Sequence, residues 1–352
     1  MVFSRFNCKK IVILLLLLAT LLSTTSCLQE SRAESGSIIR LKLAHFFPPT
    51  HLAETELSKG WAEKIKAATN GRVIIETYPQ ETLLKAADIY NGVVKGVADI
   101  GLSCFAYTRG RFPVIEAFEL PGIIYKNSKA ASMTAWEGIK KLDPDEVKDT
   151  KLLMVLTTGS GDLFTKTPVR NLNDLKGMEI RATGLSATTI EHLGGIPVGM
   201  PQSDAYEALS KGIVKGNLAP IEVLKGWKHA EVTRYITKTP FLYNTLFFVT
   251  MNLDRWNSLP KELQDIILET TEEFFEETAI GLWDKQNEAA LDYAVNEHGM
   301  EVIELTDEET ALWIEKVKPI QDAFTAKMKE MGIEEDVLAV VKELAEKYNN
   351  QY

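Results

Sequence analysis

The chain has 352 residues, 45% of them apolar and 25% charged, a composition typical of globular proteins rather than of disordered or fibrous ones. Its formal charge of -10 opposes binding to a phosphate backbone, so we expect no nucleic-acid partner. The three cysteines, Cys8, Cys27 and Cys104, are too few for a disulfide scaffold and do not stand at zinc-ligand spacings. The length allows two domains, each with its own core.

The N-terminal segment has the pattern of a secretory signal peptide. Basic residues at Arg5, Lys9 and Lys10 precede an apolar run over 11–22, and small polar residues follow it. The run is short for a membrane span. We therefore predict that residues 1–26 are a signal peptide and that the mature protein is periplasmic or otherwise extracytoplasmic.

Cys27 resembles the lipid-modified cysteine of bacterial lipoproteins, although Thr24 stands where that pattern usually has leucine. We expect lipidation of Cys27, and the alternative is an ordinary signal peptide cleaved nearby. The polar residues 27–37 predict a flexible tether. No later segment is apolar enough to cross a membrane, so we expect contact with the membrane through a lipid anchor at most.

Strand and helix patterns alternate along the mature chain. The first series has strands at 39–45, 73–78 and 98–102, with helices at 52–68 and 83–95 between them. A second series has strands at 152–157, 179–182, 198–200 and 213–218, with helices at 186–192 and 203–211. Such an order is typical of mostly parallel sheets, so we predict an α/β fold with two lobes.

The segment 258–298 reads as one helix, with Ser258 as its cap, Pro260 in its first turn and Gly299 just past its end. A helix of that length is roughly 60 Å long and would run across both lobes. The alternative is two ordinary helices broken near Gly281. A late strand at 300–305 and helices at 307–331 and 334–348 complete the predicted elements.

No motif in the sequence points to catalysis or to a cofactor. The five histidines lack metal-ligand spacing, and Gly159-Ser160-Gly161 completes neither a dinucleotide fingerprint nor a phosphate loop. No Gly-x-Ser-x-Gly elbow occurs. We predict no metal, no cofactor and no enzyme activity. A periplasmic enzyme stays open as an alternative, because paired carboxylates from different loops leave no spacing signal.

Arg181 is the strongest candidate for a binding residue. It closes a short predicted strand just before Gly184 and the helix that begins near Ser186, so a ligand could share its guanidinium with the free N–H groups of the helix start. The planar guanidinium can hold both oxygens of a carboxylate and keeps its charge at any physiological pH. The plain alternative is a surface ion pair.

Several segments over 38–345 together resemble the extracytoplasmic solute-binding proteins of tripartite ATP-independent periplasmic (TRAP) transporters, the dicarboxylate-binding-protein family. They are YNGVVKGVADIG (90–101), GRFP (110–113), DLKGMEIR (174–181), GGIPV (194–198) and YEAL (206–209). The resemblance implies a two-lobed periplasmic-binding-protein fold with a central ligand cleft and a long helix behind both lobes. It also implies a membrane permease of two subunits as partner, with uptake driven by an ion gradient.

We expect lobe I to comprise 38–158 plus about 247–285, and lobe II to comprise 159–246 plus about 286–352. The resemblance implies that Arg181 pairs with the substrate carboxylate. Some members carry a second arginine after the preceding strand, but 159–165 has none here, and Ala219 replaces a polar residue of the family pattern. The segment 220–237 resembles a subgroup that binds monocarboxylates, some of them aromatic or otherwise apolar. The ligand is therefore expected to be an organic monocarboxylate.

Ligand crevices lie at the carboxyl ends of strands in open α/β sheets. We accordingly assign the ligand site to Arg181, His45, Phe46, Phe105, Tyr107, Asn217, Trp227 and Phe247. For the aromatic residues the alternative is packing in a lobe core or hinge, and Phe247 and Phe248 cannot both face the cleft from one strand. The resulting hypothesis is a binding protein that closes on its ligand, and a ligand-sensing module for a membrane receptor is the other alternative.

Overall fold

The computed structural model describes residues 37–352, and its strands form two sheets. The strands are β1 Ile39–His45, β2 Val73–Tyr78, β3 Ile100–Cys104, β4 Thr150–Thr157, β5 Gly161–Thr165, β6 Glu179–Ala182, β7 Ile196–Gly199, β8 Gly216–Pro220, β9 Tyr235–Thr237, β10 Leu246–Asn252 and β11 Glu301–Ile303. The α-helices are α1 Lys59–Ala68, α2 Ile89–Val94, α3 Ser128–Leu142, α4 Leu172–Leu175, α5 Leu185–His192, α6 Gln202–Ser210, α7 Val223–Gly226, α8 Leu253–Asn257, α9 Lys261–Glu277, α10 Leu282–Asp292, α11 Asp307–Glu330 and α12 Val337–Gln351. Together they make the predicted α/β fold.

The first sheet has the strand order β2-β1-β3-β10-β4. β1 pairs in parallel with β2 and with β3, as the alternation of strands and helices predicts, whereas β10 is antiparallel to both of its neighbours. The second sheet has the order β11-β9-β5-β8-β6-β7, in which β6 is parallel to β7 and β8. β10 is thus the strand by which the chain returns to the first sheet.

The prediction of one continuous helix over 258–298 is wrong, and the alternative of two helices broken near Gly281 is confirmed. α9 ends at Glu277, a short 3₁₀ turn occupies Ala279–Gly281, and α10 follows. Ser128, at the start of α3, stabilises the break: its hydroxyl donates to the carbonyl of Ile280 and accepts from the N–H of Asp284. A side chain inserted at this point replaces helical hydrogen bonds, which is a usual cause of a kink.

The two parts of this segment contact different surroundings. α9 packs against α1 and β4 of the first sheet, whereas α10 packs against α3 and against α7, which follows β8 of the second sheet. The segment therefore does run from one sheet to the other, as two helices. The final helix, α12, packs against α3. The division into lobes at the boundaries given above stays a prediction.

Several predicted boundaries differ from the structure. The expected helix at 83–95 is a 3₁₀ turn at Ala86–Asp88 followed by α2, and the expected strand at 213–218 begins only at Gly216. β5, one of the two central strands of the second sheet, was not predicted, because its sequence Gly-Asp-Leu-Phe-Thr does not alternate between apolar and polar residues and begins at Gly161. No helix in 37–352 is both long and apolar enough to span a bilayer.

Candidate functional site

A narrow cavity of about 20 Å³ lies where strand ends of the two sheets meet. The first sheet contributes residues that follow β1 and β3, and the second contributes residues in or after β6 and β8. The lining residues are Phe46, Phe47, Cys104, Tyr107, Thr158, Arg181, Thr183, Gln202, Pro220, Glu222, Val223, Trp227, Tyr243, Thr245 and Phe247. One strongly basic side chain and one acidic side chain are among them.

Arg181 lies on β6 and is only 2% exposed. Its Nε donates to the carbonyl of Met200 at 3.0 Å, which fixes the plane of the guanidinium. The terminal nitrogens make only long hydrogen bonds, one to Asn217 Oδ1 at 3.4 Å and one to the hydroxyl of Tyr107 at 3.5 Å. No carboxylate in 37–352 forms an ion pair with this buried cation. Its capacity to bind an anion is therefore unused.

A buried amide and imidazole network supports Arg181 from behind. Asn217 stands opposite Arg181 in the β6–β8 register, and its amide nitrogen contacts His229 Nδ1 at 3.3 Å. The other ring nitrogen of His229 contacts the side-chain amide of Gln202 at 3.0 Å. Burial, and secondly the charge of Arg181, lower the pKa of His229 to about 3, so the ring is neutral at physiological pH. Nothing in the sequence pattern singled out Gln202 or His229.

Tyr107 brings a hydroxyl from the first sheet to the guanidinium. It ends the 3₁₀ turn Phe105–Tyr107 that follows β3, and its oxygen accepts from the backbone N–H of Gln202 at 3.0 Å. Burial raises the pKa of Tyr107 well above its ordinary value. The phenol is therefore neutral, and because its oxygen acts as an acceptor in both contacts, its proton can be donated to a ligand.

Aromatic rings form the rest of the wall. Phe46 stacks on Phe47 with centroids 4.2 Å apart, and both rings lie 6.0 Å from that of Trp227. Phe247 stacks on Trp283 at 4.7 Å. The indole Nε1 of Trp227 is buried without a hydrogen-bond partner in the described part of the chain. The wall therefore offers large apolar faces together with one unused donor.

The structure places five of the eight predicted site residues on the cavity: Phe46, Tyr107, Arg181, Trp227 and Phe247. Asn217 lies behind the guanidinium. Phe248 points to the opposite face of β10, against Tyr90 and Phe105, as alternation along a strand requires. Phe47, Glu222 and Tyr243 also line the cavity and were not assigned to the site from the sequence.

Two predicted site residues lie elsewhere. His45 ends β1 with its side chain turned to the next helical segment, where Nε2 contacts Glu54 Oε2 at 2.7 Å. Phe105 packs edge-on against Phe112, with centroids 4.9 Å apart. Neither residue lines the cavity, since each side chain is used by packing within its own half of the molecule.

Several donors at the helix start after Arg181 are engaged locally. The backbone N–H groups of Ser186 and Ala187 donate to the carbonyls of Thr183 and Gly184, and the N–H of Thr183 donates to the Ser186 hydroxyl. The side-chain donors that line the cavity near an anion are therefore the guanidinium, the Tyr107 hydroxyl and the indole N–H of Trp227. No group of His, Cys, Asp or Glu in 37–352 is arranged to hold a metal ion.

The family model for "Bacterial extracellular solute-binding protein, family 7", DctP, matches residues 43–328 of this chain. The chain belongs to this family. It is 27% identical over 299 residues to the C4-dicarboxylate-binding periplasmic protein DctP of Rhodobacter capsulatus, covering 81% of this chain and 86% of that protein. DctP-family members are binding proteins of transport systems, which confirms the predicted extracytoplasmic solute-binding protein of the TRAP type and argues against an enzyme.

Solved structures agree with this assignment. A TRAP solute-binding protein from Rhodoferax ferrireducens T118, in complex with copurified benzoate, is 29% identical with a TM-score of 0.83, covering 89% of this chain and 99% of that one. A marine metagenome TRAP protein specific for aromatic acid ligands, in complex with metahydroxyphenylacetate, is 30% identical with a TM-score of 0.83, covering 88% and 99%. The two-lobed binding-protein fold is thereby confirmed. The signal peptide and Cys27 lie outside the described residues.

Proposed function

We propose that this DctP-family protein captures an organic monocarboxylate, with Arg181 pairing with the carboxylate, and delivers it to a TRAP permease. The observation that carries the proposal is the buried guanidinium without a carboxylate partner in 37–352, placed in the wall of an aromatic cavity. Burying an unpaired charge costs several kcal/mol, and an anionic ligand would offset that cost. Binding of the anion would therefore also stabilise the site.

The charges around the cavity favour one carboxylate rather than two. Arg181 is the single lysine or arginine among the lining residues, and Glu222 adds a negative charge to the same wall. The nearby Lys238 is held elsewhere by the buried Asp162. A second ligand carboxylate would thus be buried without a cation and beside an anion, which is unfavourable by several kcal/mol.

The aromatic wall favours a ligand with an apolar or aromatic body. Phe46, Phe47, Trp227 and Phe247 present ring faces and edges, and such contacts add roughly 0.5–1.5 kcal/mol per pair beyond the area that they bury. The related proteins with bound benzoate and metahydroxyphenylacetate support the same ligand class. A small aromatic acid satisfies both the cation and the rings.

Partner and anchoring follow from the family and the N-terminal pattern. We infer that the liganded protein docks on the membrane subunits of a TRAP permease and that Cys27 carries a lipid that keeps the mature protein at the membrane. Replacing Cys27 with serine should release the protein into the soluble periplasmic fraction, whereas unchanged membrane association would contradict the anchor.

The decisive experiment identifies the ligand directly. Protein purified from its native host is denatured, and the released small molecules are identified by mass spectrometry. We expect a monocarboxylic acid, aromatic or otherwise apolar, recovered intact. Calorimetric titration of the identified acid into the refolded protein should then give one site. A released dicarboxylate would contradict the argument from the single cation.

A further inference from the structure

Glu222 is the acidic residue of the cavity wall, and the proposed function uses it only to disfavour a second ligand carboxylate. It follows β8 and precedes α7, and the whole residue is 3% exposed. It shares the wall with Arg181. Cation and carboxylate thus face the same cavity.

His51 holds the Glu222 side chain in place. His51 Nε2 lies 3.0 Å from Glu222 Oε2, and both side chains are almost wholly buried. His51 Nδ1 accepts a hydrogen bond from the backbone N–H of Ala53 at 3.0 Å, so the ring proton is on Nε2 and is donated to the carboxylate. The bond joins the segment after β1 to the segment after β8 across 171 residues.

Close packing leaves this pair little freedom. A methyl group added at Gly226 would lie 2.8 Å from Glu222 Oε2 and 2.9 Å from the His51 ring, so a larger residue there would displace one of the two side chains. The His51 ring lies 4.8 Å from that of Phe47 and 5.9 Å from that of Trp227. The backbone N–H of Glu222 donates to Asn287 at 3.0 Å. The position of the carboxylate is therefore fixed from both sheets.

The carboxylate has acceptor capacity that the protein does not use. Its hydrogen bond from His51 occupies Oε2, and within 37–352 no side chain or N–H donates to Oε1. A carboxylate can accept about four hydrogen bonds, and buried polar groups are nearly always satisfied. A ligand with a donor group would complete this set, just as a ligand carboxylate would complete that of Arg181.

We propose that Glu222, positioned by His51, determines specificity by accepting a hydrogen bond from a hydroxyl or amino group of the ligand. The same carboxylate repels any ligand that carries a second carboxylate in that place. The preferred substrate class is then hydroxy- or amino-substituted monocarboxylic acids. This inference rests on the proposed function, since it takes the first carboxylate to be bound by Arg181.

Two matched ligand series test the proposal by calorimetry. One is benzoate, 3-hydroxybenzoate and isophthalate; the other is butyrate, 4-hydroxybutyrate and glutarate. In the series that fits the cavity, the wild-type protein should bind the hydroxy acid about tenfold more tightly than the unsubstituted acid, and the dicarboxylate at least about 100-fold more weakly than the hydroxy acid.

Glu222→Gln keeps the shape but removes the charge. It should reduce the preference for the hydroxyl to less than about threefold and should strengthen dicarboxylate binding by about tenfold or more. Glu207→Gln, on an exposed carboxylate paired with Lys211, is the matched control and should change neither ratio. Unchanged ratios in Glu222→Gln, or a wild-type protein that prefers the unsubstituted acid or the dicarboxylate, or that binds none of the six, would overturn the inference.

Arg181→Met separates this inference from the proposed function. Loss of all acids in that variant, together with unchanged ratios in Glu222→Gln, would leave the arginine assignment standing and remove the role of Glu222. Retained affinity in Arg181→Met would instead remove the proposed function.

Discussion

Buried charges in the core and in the cavity of this protein differ in how completely their hydrogen-bond and ion-pair partners satisfy them. In the core, Glu54 accepts hydrogen bonds from His45 and Thr77 and pairs with Lys59 at 3.0 Å. In the cavity, Arg181 is equally buried yet has two long hydrogen bonds on its terminal nitrogens and no carboxylate partner in the described chain. Several donors satisfy the core charge, whereas the cavity charge retains capacity for an anion.

This difference locates function better than burial alone. A buried charge with a full set of partners stabilises the fold, and its loss should affect stability. A buried charge with an incomplete set reduces stability until something binds, and its loss should affect binding. Substitutions of Arg181, Glu54 and Glu119 test this distinction between buried charges, and a substitution of Trp227 tests it for a buried donor without a partner.

Arg181→Met should give the largest effect. Because the ligand carboxylate would lose its only cation in a buried site, we expect affinity for the native acid to fall by about 1000-fold in calorimetry. The free energy of unfolding of the ligand-free protein should not fall, since an unpaired buried charge is removed. Arg40→Met, at an exposed arginine paired with Glu76, should leave affinity unchanged. A destabilised Arg181→Met variant that still binds the acid would show that Arg181 stabilises the fold instead of binding the ligand.

Glu54→Gln should have the opposite profile. We expect the free energy of unfolding to fall by about 2–3 kcal/mol at pH 7, because three partners lose a buried carboxylate, while ligand affinity stays within about twofold. Denaturant melts and titrations of the same preparation measure both quantities. Glu63→Gln, at an exposed carboxylate, is the matched control. A loss of affinity without a loss of stability would contradict the structural role.

The pH dependence of stability should reflect Glu54 as well. Burial would raise the pKa of Glu54, but the hydrogen bonds from His45, Lys59 and Thr77 outweigh it and lower the pKa to about 2 from an ordinary 4.5. Its stabilisation is therefore full above pH 4.5 and is lost as the pH falls towards 2. The Glu54→Gln variant should lose less stability than the wild-type protein over that interval.

Glu119 is an intermediate case and should give an effect of opposite sign. It accepts the backbone N–H of Leu246 at 2.8 Å, and burial raises its pKa to about 8. Folding then requires proton uptake between pH 4.5 and 8, so the contribution of this group to stability is full below pH 4.5 and is lost as the pH rises to 8. The Glu119→Gln variant should lose less stability than the wild-type protein over that interval. Equal melts at both pH values would contradict this.

Trp227→Phe should give the smallest effect. It keeps a ring against Phe46 but removes the unpartnered Nε1 donor, so affinity for an acid that uses this donor should fall about three- to tenfold. Trp136→Phe, whose Nε1 contacts Glu272 far from the cavity, should leave affinity unchanged. Wild-type affinity in both variants would show that the ligand does not use the Trp227 Nε1 donor.

Much of the fold could be predicted because the hydrophobic pattern determines it locally. The parallel β1, β2 and β3 with intervening helices follow from the alternation of strand and helix periods. The sequence offered the break near Gly281 only as the alternative to one helix, because the cause of the break is the hydroxyl of Ser128, about 150 residues away in sequence. Boundaries near Gly216 shifted because tertiary pairing, rather than the local pattern, ends a strand.

The candidate site likewise could be predicted only in part. Arg181, Phe46, Tyr107, Trp227 and Phe247 follow strand ends or motif positions, and these line the cavity. His45 occupies an equivalent strand end, yet Glu54 captures its side chain, which spacing alone cannot reveal. Gln202, Glu222 and His229 act through contacts between elements distant in sequence, so only the assembled fold brings them to the site.

A crystal structure of the protein with its copurified acid would test the central claim most directly. We predict that the ligand carboxylate lies within hydrogen-bond distance of both the Arg181 guanidinium and the Tyr107 hydroxyl, with the body of the ligand against Phe46 and Trp227. A ligand whose carboxylate faces away from Arg181, with that guanidinium still unpaired, would contradict the account.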